Sequence, residues 1–211
     1  MIRKSSPLHF LPLAKSTSKI GPCVLGGGSV RLEPLRHRHA DALFEAGRST
    51  DWRWFLSPLD SREKVLRRIE DGIRAERRGD EFAFAVLDKG SGWVIGSTSY
   101  LKVVPKHKRL EIGSTWYSKN FWGTVVNPEC KFLLLRHAFE DWNAIRVELV
   151  TDVRNERSQR AILRLGASLE GRLRNNGVRP DGTTRDVFLY SIIDSEWPRV
   201  KSGLLDRLEN S

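Results

Sequence analysis

Sulphur is scarce in this chain of 211 residues, which holds two cysteines and one methionine. Cys23 and Cys130 stand far apart, there is no CxxC pair, and no histidine sits near either at ligand spacing. A disulfide framework and a zinc site are therefore not expected, and a reducing cytoplasm is the expected compartment. No apolar run approaches the ~20 residues that a membrane helix needs. The nearest N-terminal candidate, residues 8–14, is short and interrupted by His9 and Pro12, which makes a poor signal-peptide core. The five histidines, His9, His37, His39, His107 and His137, have no spacing that suits a Ser-His-Asp relay, and no metal site is expected. Internal repeats and low complexity are missing too, apart from Gly26-Gly27-Gly28.

Positive charge is plentiful. Lys and Arg number 36 against 26 acids, a formal charge of +10. Such a surface suits an anionic partner: a phosphorylated cofactor, nucleic acid or an acidic protein. Charged residues make up 29% and hydrophobic ones 39%, which excludes a disordered or collagen-like chain. At this length a folded chain hides roughly 70% of its extended surface, enough for a true core in one domain. Residues 1–28 hold Arg3, Lys4, Lys15 and Lys19, several serines and no acid. That leader is expected to be a flexible tail, an organelle presequence being the alternative. Without its four bases the remainder still carries +6.

Alternation and helical spacing divide the rest. Residues 30–35 alternate as a strand, and Ala40, Leu43, Phe44 and Gly47 mark a helix over 37–47. An aromatic loop, Asp51-Trp52-Arg53-Trp54-Phe55-Leu56, leads to a longer helix opened by Ser61, striped by Val65, Ile69 and Ile73, and stopped at Gly79. Strands are predicted over 81–87, 93–103 and 110–117, separated by tight turns. A break over 118–126 precedes a helix over 127–142, a strand over 146–151 and a helix over 155–165. Two strands, 167–173 and 185–193, bracket a loop over 175–184, and a tail helix covers 194–208. The order is β-α-α-β-β-β-α-β-α-β-β, a mixed α/β domain.

From Leu110 to Lys131 a strand runs through a loop with one glycine, Gly123, straight into a helix start. Unpaired backbone N–H groups and the positive helix end meet there, so a diphosphate fits without a special side chain. Glu111-Ile112-Gly113, then Gly123 with Glu129, resemble the strand, pyrophosphate loop and third helix of the GNAT acyltransferase superfamily. Asn155-Glu156-Arg157-Ser158, Arg164-Leu165-Gly166-Ala167 and Leu169-Glu170-Gly171 are similar to its fourth helix and following strand. Arg185-Asp186-Val187-Phe188-Leu189-Tyr190-Ser191 resembles its last strand. The ordered set resembles in particular the branch related to the RimJ and RimL ribosomal-protein N-terminal acetyltransferases. It spans about 29–198, leaving 1–28 as a tail and 199–211 as a C-terminal helical tail. The resemblance implies a central twisted mixed sheet of about seven strands flanked by helices.

It also implies acetyl-CoA as co-substrate and direct acetyl transfer to a primary amine in a ternary complex. A protein N-terminus is the first expected acceptor, with a small amine such as an amino acid, polyamine or antibiotic next. Trp116, Tyr117, Phe121, Trp122, Gly123, Thr124, Val125, Val126, Asn155 and Ser158 are then the expected cofactor-binding residues, with Asn155 equally expected as the cap of the helix over 155–165. A backbone N–H near Trp116 or Tyr117 would hold the oxyanion. Ser158 would serve the leaving thiolate, because Ile162 stands where many members carry a tyrosine. Glu111 is the candidate base, through water, with a salt-bridge role as its competitor. Lys131, Arg157 and Arg160 are candidates for the cofactor's phosphates, and Cys130 is expected to be a packing residue.

Trp52, Trp54 and Phe55 are expected to wall the acceptor groove or to fill core. The loop departs from the family pattern Gln/Arg-x-x-Gly-x-Gly/Ala, reading Asn120-Phe121-Trp122-Gly123-Thr124-Val125. Val125 stands where a small residue lets the backbone approach phosphates, so weakened cofactor binding is an expectation. The competing function is a non-catalytic module that uses its basic surface on RNA or another anionic partner. No interleaved basic and aromatic platform supports it. A monomer and a homodimer are equally compatible with the sequence.

Overall fold

The structure, a computed structural model, describes residues 20–210. One sheet of eight strands carries it, in the order β1-β2-β3-β4-β5-β6-β8-β7. The strands are β1 (Leu25–Gly26), β2 (Val30–Pro34), β3 (Phe82–Asp88), β4 (Val94–Val104), β5 (Arg109–Tyr117), β6 (Arg146–Asp152), β7 (Ser168–Val178) and β8 (Thr184–Ile193). All neighbours are antiparallel except β5 and β6. The helices are α1 (Ala40–Gly47), α2 (Arg62–Arg78), α3 (Val126–Arg136), α4 (Glu156–Leu163) and α5 (Trp197–Glu209). The expected mixed α/β architecture is thus present, with one strand more than the seven expected.

Alternation in β3 sets the two faces. Phe82, Phe84 and Val86 point into a large core with α3 and α5, whereas Ala83 and Ala85 point into a smaller one with α1 and α2. Large residues on one side and alanines on the other let α2 lie close to the sheet. Its stripe of Val65, Ile69, Gly72 and Ala75 is buried, and Ser61 Oγ caps it by accepting from Lys64 N at 3.2 Å. Gly79 ends it in the left-handed region at φ 80°.

Three expectations change. First, residues 1–19 lie outside the described residues, but 20–28 do not behave as a tail. Ile20 and Leu25 are buried, and β1 pairs with β2. The Gly26-Gly27-Gly28 run is a turn that clasps the buried Glu129 carboxylate, which accepts from the backbone N–H groups of Gly28 and Ser29. Second, the loop expected over 175–184 shrinks to 179–183, because β7 continues through an irregularity at Asn175 (φ 51°) to Val178. That irregularity hides the period-2 pattern. Third, the tail helix belongs to the core: Trp197, Val200, Leu204 and Leu208 are buried, and Trp197 stacks on Phe139 at 5.4 Å. No helix among the described residues is long and apolar enough to cross a membrane.

A Cβ at Gly27 would overlap the Glu129 carboxylate. Gly27→Ala is expected to destabilise the fold by about 2 kcal/mol in urea unfolding, because displacing the carboxylate strips a buried charge of its donors. Gly203→Ala, in an exposed stretch of α5 with nothing within 4 Å of the new Cβ, is expected to stabilise by about 0.5–1 kcal/mol. Equal effects at the two sites would contradict the clasp.

A candidate active site where β5 and β6 part

β5 and β6 pair only over Arg109–Glu111 and Arg146–Glu148. Ser114 then takes φ 47°, and the β4–β5 register shifts between the Ser99–Gly113 and Ser97–Trp116 pairs. Such a bulge bends a strand and increases its twist. The edge of β5 from Ile112 to Tyr117 that faces β6 is therefore outside the ladder. Trp116 and Tyr117 end this strand, with Trp116 in the smaller core and Tyr117 in the larger one.

On the large-core face the opening is bordered by the loop 118–125 and by α4. Trp122 donates Nε1–H to the Tyr117 carbonyl at 2.9 Å, and the Arg157 guanidinium lies 3.7 Å from its ring centroid. Gly123 has φ 76°. Among the described residues, the backbone N–H groups of Gly123 and Val125 are not taken up by a backbone acceptor, and that of Thr124 only closes a loose turn over 122–123. These N–H groups and the α3 terminus make a cradle for an anion.

Val125 does not strain that cradle. Its φ of −63° and ψ of −18° suit any L residue, and its side chain packs on the large core. Phe121 and Trp122 pack there too, and the Val126 side chain is buried, so Val126 offers the cradle only backbone. Across the opening, Asn155 caps α4 by accepting from Ser158 N at 3.1 Å. Ser158 is half-buried in the first turn, and Ile162 is buried in the core.

The candidate phosphate ligands separate. Lys131 is buried, and its Nζ donates to Thr115 Oγ1 at 2.8 Å under the sheet, so it does not reach the cradle. Burial pushes its pKa down to about 8. Arg160 is paired with Glu156 at 3.1 Å on the solvent side of α4. Arg157 alone stands over the loop. Burial pushes the Cys130 thiol up to about 12, which fits the packing role expected for it.

The small-core face carries the second half of the site. A cleft of about 530 Å³ is lined by Trp52, Trp54 and Phe55 on one wall and by Arg154 and Arg179 on the other. Trp52 packs edge-on to Trp116 at 5.0 Å and to Phe55 at 5.3 Å. Trp52 and Phe55 thus both pack on the smaller core and line the cleft, whereas Trp54 lines the cleft outside that core. Glu111, at the last paired position of β5, is buried, with Lys102 Nζ 2.7 Å from its Oε2. Sequence reasoning missed Asp152, Arg154, Arg179 and Arg185, which cluster beside this cleft. The Arg179-Pro180-Asp181-Gly182 run was the available signal, since it spells a hairpin turn rather than an open loop.

Residues 29–168 match the acetyltransferase (GNAT) domain family, and the chain belongs to that family. A Bacillus subtilis (strain 168) protein, provisionally named ribosomal N-acetyltransferase YdaF, is 31% identical over 107 residues. That match covers 50% of this chain and 57% of the relative. The ribosomal-protein-serine acetyltransferase of Escherichia coli (strain K12) is 25% identical over 177 residues, covering 80% of this chain and 95% of that protein. A GCN5-related N-acetyltransferase structure from Brucella melitensis superposes with a TM-score of 0.83 at 30% identity, covering 92% and 89%. The protein is an N-acetyltransferase of a family that uses acetyl-CoA.

Lys131 generates a pH prediction. Below about pH 8 it is charged in the folded and unfolded chain alike, so folding carries the cost of burying the charge. Between about 8 and the unfolded value of 10.5 the folded chain releases the proton first, and stability rises with pH. Lys131→Met is expected to be the more stable form below pH 8. Its advantage should shrink by about 2–3 kcal/mol by pH 10.5. A pH-independent difference in urea unfolding would contradict this.

Proposed function

We propose that this N-acetyltransferase moves the acetyl group of acetyl-CoA directly to the α-amine of a peptide or protein N-terminus, in a ternary complex. The observation that supports it is that the loop before α3 packs on the large-core face and the aromatic cleft lies on the small-core face, with β5 and β6 parting between them. The two substrates then approach the same gap from two sides. The names of the ribosomal-protein relatives support a protein acceptor.

The residues divide the work accordingly. The N–H groups of Gly123, Thr124 and Val125 hold the diphosphate of acetyl-CoA, with Arg157 beside them. The free edge of β5 near Trp116 and Tyr117 polarises the thioester carbonyl and holds the oxyanion. Asn155 fixes the start of α4, and the Ser158 hydroxyl protonates or hydrogen-bonds the departing thiolate. Trp52, Trp54 and Phe55 wall the acceptor.

The amine must be neutral to attack. At pH 7.5 about a third of α-amines are neutral, against roughly 0.1% of lysine side chains. Little base strength is needed for an N-terminus, and Glu111 supplies it through water from the acceptor face. A reducing cytoplasm, where the half-buried Cys23 and the buried Cys130 stay free thiols, is the proposed setting.

Calorimetric titration with acetyl-CoA, with ATP as control, is expected to show selective micromolar binding, and thiol release should depend saturably on added amine. Equal binding of ATP, or no amine dependence, would refute the reading. Ser158→Ala leaves the backbone cap intact, so kcat should fall at least tenfold with the acetyl-CoA Kd within about twofold. Unchanged turnover would remove Ser158 from the mechanism. Glu111→Gln is expected to lower kcat/KM about tenfold at pH 7, with the loss narrowing above the amine pKa of ~8. A flat profile at wild-type rate would leave Glu111 as only the partner of Lys102.

A further inference from the structure

Beside the acceptor cleft one buried carboxylate faces three arginines. Asp152, the last residue of β6, is 1% exposed. Arg179 Nη2 lies 2.6 Å and Arg185 Nε 3.4 Å from its Oδ2, and Arg154 Nε lies 3.6 Å from its Oδ1. The backbone N–H of Arg154 also donates to Oδ1 at 2.9 Å. One carboxylate cannot neutralise three guanidinium groups.

The other acids around the cleft are already engaged. Asp51 holds Arg53 at 2.8 Å, Asp60 holds Lys64 at 2.6 Å, and Glu111 holds Lys102. Asp181, at the hairpin tip, accepts from the backbone and hydroxyl of Thr183 and offsets one of the three arginine charges. A positive excess is left. It is also partly desolvated: the Arg179 side chain is 10% exposed, and Nε of Arg179 and of Arg185 is buried without a hydrogen-bond partner. Burial pushes the Arg185 guanidinium down, while the charges and donors around Asp152 hold its carboxyl below the usual range. Unbalanced buried charge is costly unless another charge completes it.

Arg154 is the member of the cluster open to a ligand. Its side chain is 59% exposed and lines the cleft, at the turn that leads from β6 into the Asn155 cap. A guanidinium presents paired N–H donors that match a carboxylate. Opposite it stand the aromatic faces of Trp52, Trp54 and Phe55.

From this we infer that the acceptor amine carries a carboxylate that docks on Arg154, over the Asp152–Arg179–Arg185 cluster. The inference rests on the acetyl-transfer reading above and narrows it. Two sources share the chemistry: an acidic side chain near a peptide N-terminus, and the carboxylate of a free amino acid. Polyamines and lysine-rich N-termini are disfavoured by the same charge.

The test compares kcat/KM for matched tetrapeptides whose second and third residues are acidic, neutral or basic, together with free glutamate and spermidine. The acidic peptide is expected to exceed the neutral and basic ones at least tenfold; a lead for glutamate instead would identify the amino acid as the source. Arg154→Gln should bring the acidic-to-neutral ratio to within about threefold of unity, with the acetyl-CoA Kd unchanged. Arg154→Glu should move the preference toward the basic peptide. Acetylation without preference for carboxylate, or a preference that survives Arg154→Gln, would overturn the site. Calorimetry with the same peptides separates the two readings. Acidic peptide that binds through Arg154 without any amine being acetylated would leave the carboxylate site standing and refute acetyl transfer. No binding and no turnover would refute both.

Discussion

The parting of β5 from β6 is the constraint on which the rest of the molecule turns. Only three residue pairs join these parallel strands, and beyond Glu111 and Glu148 the bulge at Ser114 carries β5 away. A sheet interior does not leave backbone donors unpaired without a reason. In the proposed function the gap links the anion cradle on one face with the aromatic cleft on the other. The large core beneath α3 and α5 and the smaller one beneath α1 and α2 hold the two faces apart while keeping the gap open. The pinning extends far along the chain. Glu129 ties the N-terminal turn to α3, and Arg179 ties the β7–β8 hairpin tip to the end of β6.

How far the sequence disclosed this depended on how local the controlling contacts were. Strand β3, helix α2 and the caps at Ser61 and Asn155 follow from alternation, stripe and side-chain chemistry within a few residues, and they appear where expected. β1 was illegible because two residues have no period and the turn that follows it is held by Glu129, a hundred residues away. The end of β7 was hidden by the irregularity at Asn175. The place of Lys131, a candidate for the phosphates, was illegible because α3 is buried almost all round, so helical spacing gives it no solvent face. Val125 departs from the motif, and it does so with ordinary backbone angles and a side chain packed on the large core. The arginine cluster needed tertiary structure, since Asp152 meets Arg179 and Arg185 only once the hairpin folds back.

The charge of +10 also divides into two kinds once the fold is known. Exposed pairs within one helix, such as Arg67–Glu63 and Arg160–Glu156, contribute about 0–1 kcal/mol each and are mainly a solvated surface. Arg179 and Arg185 at Asp152 are different, because burial removes the water that would screen them. The basicity seen in composition thus has a local, directional part beside the aromatic cleft. No similar concentration was legible from counting charges.

Direct transfer requires that both substrates occupy the β5–β6 gap together. Initial velocities measured over a grid of acetyl-CoA and acceptor-peptide concentrations test it most directly. Intersecting double-reciprocal lines, with no exchange of label between CoA and acetyl-CoA in the absence of amine, are the predicted result. Parallel lines with amine-independent exchange would mean that an acetylated enzyme forms first, and would contradict direct transfer through the gap.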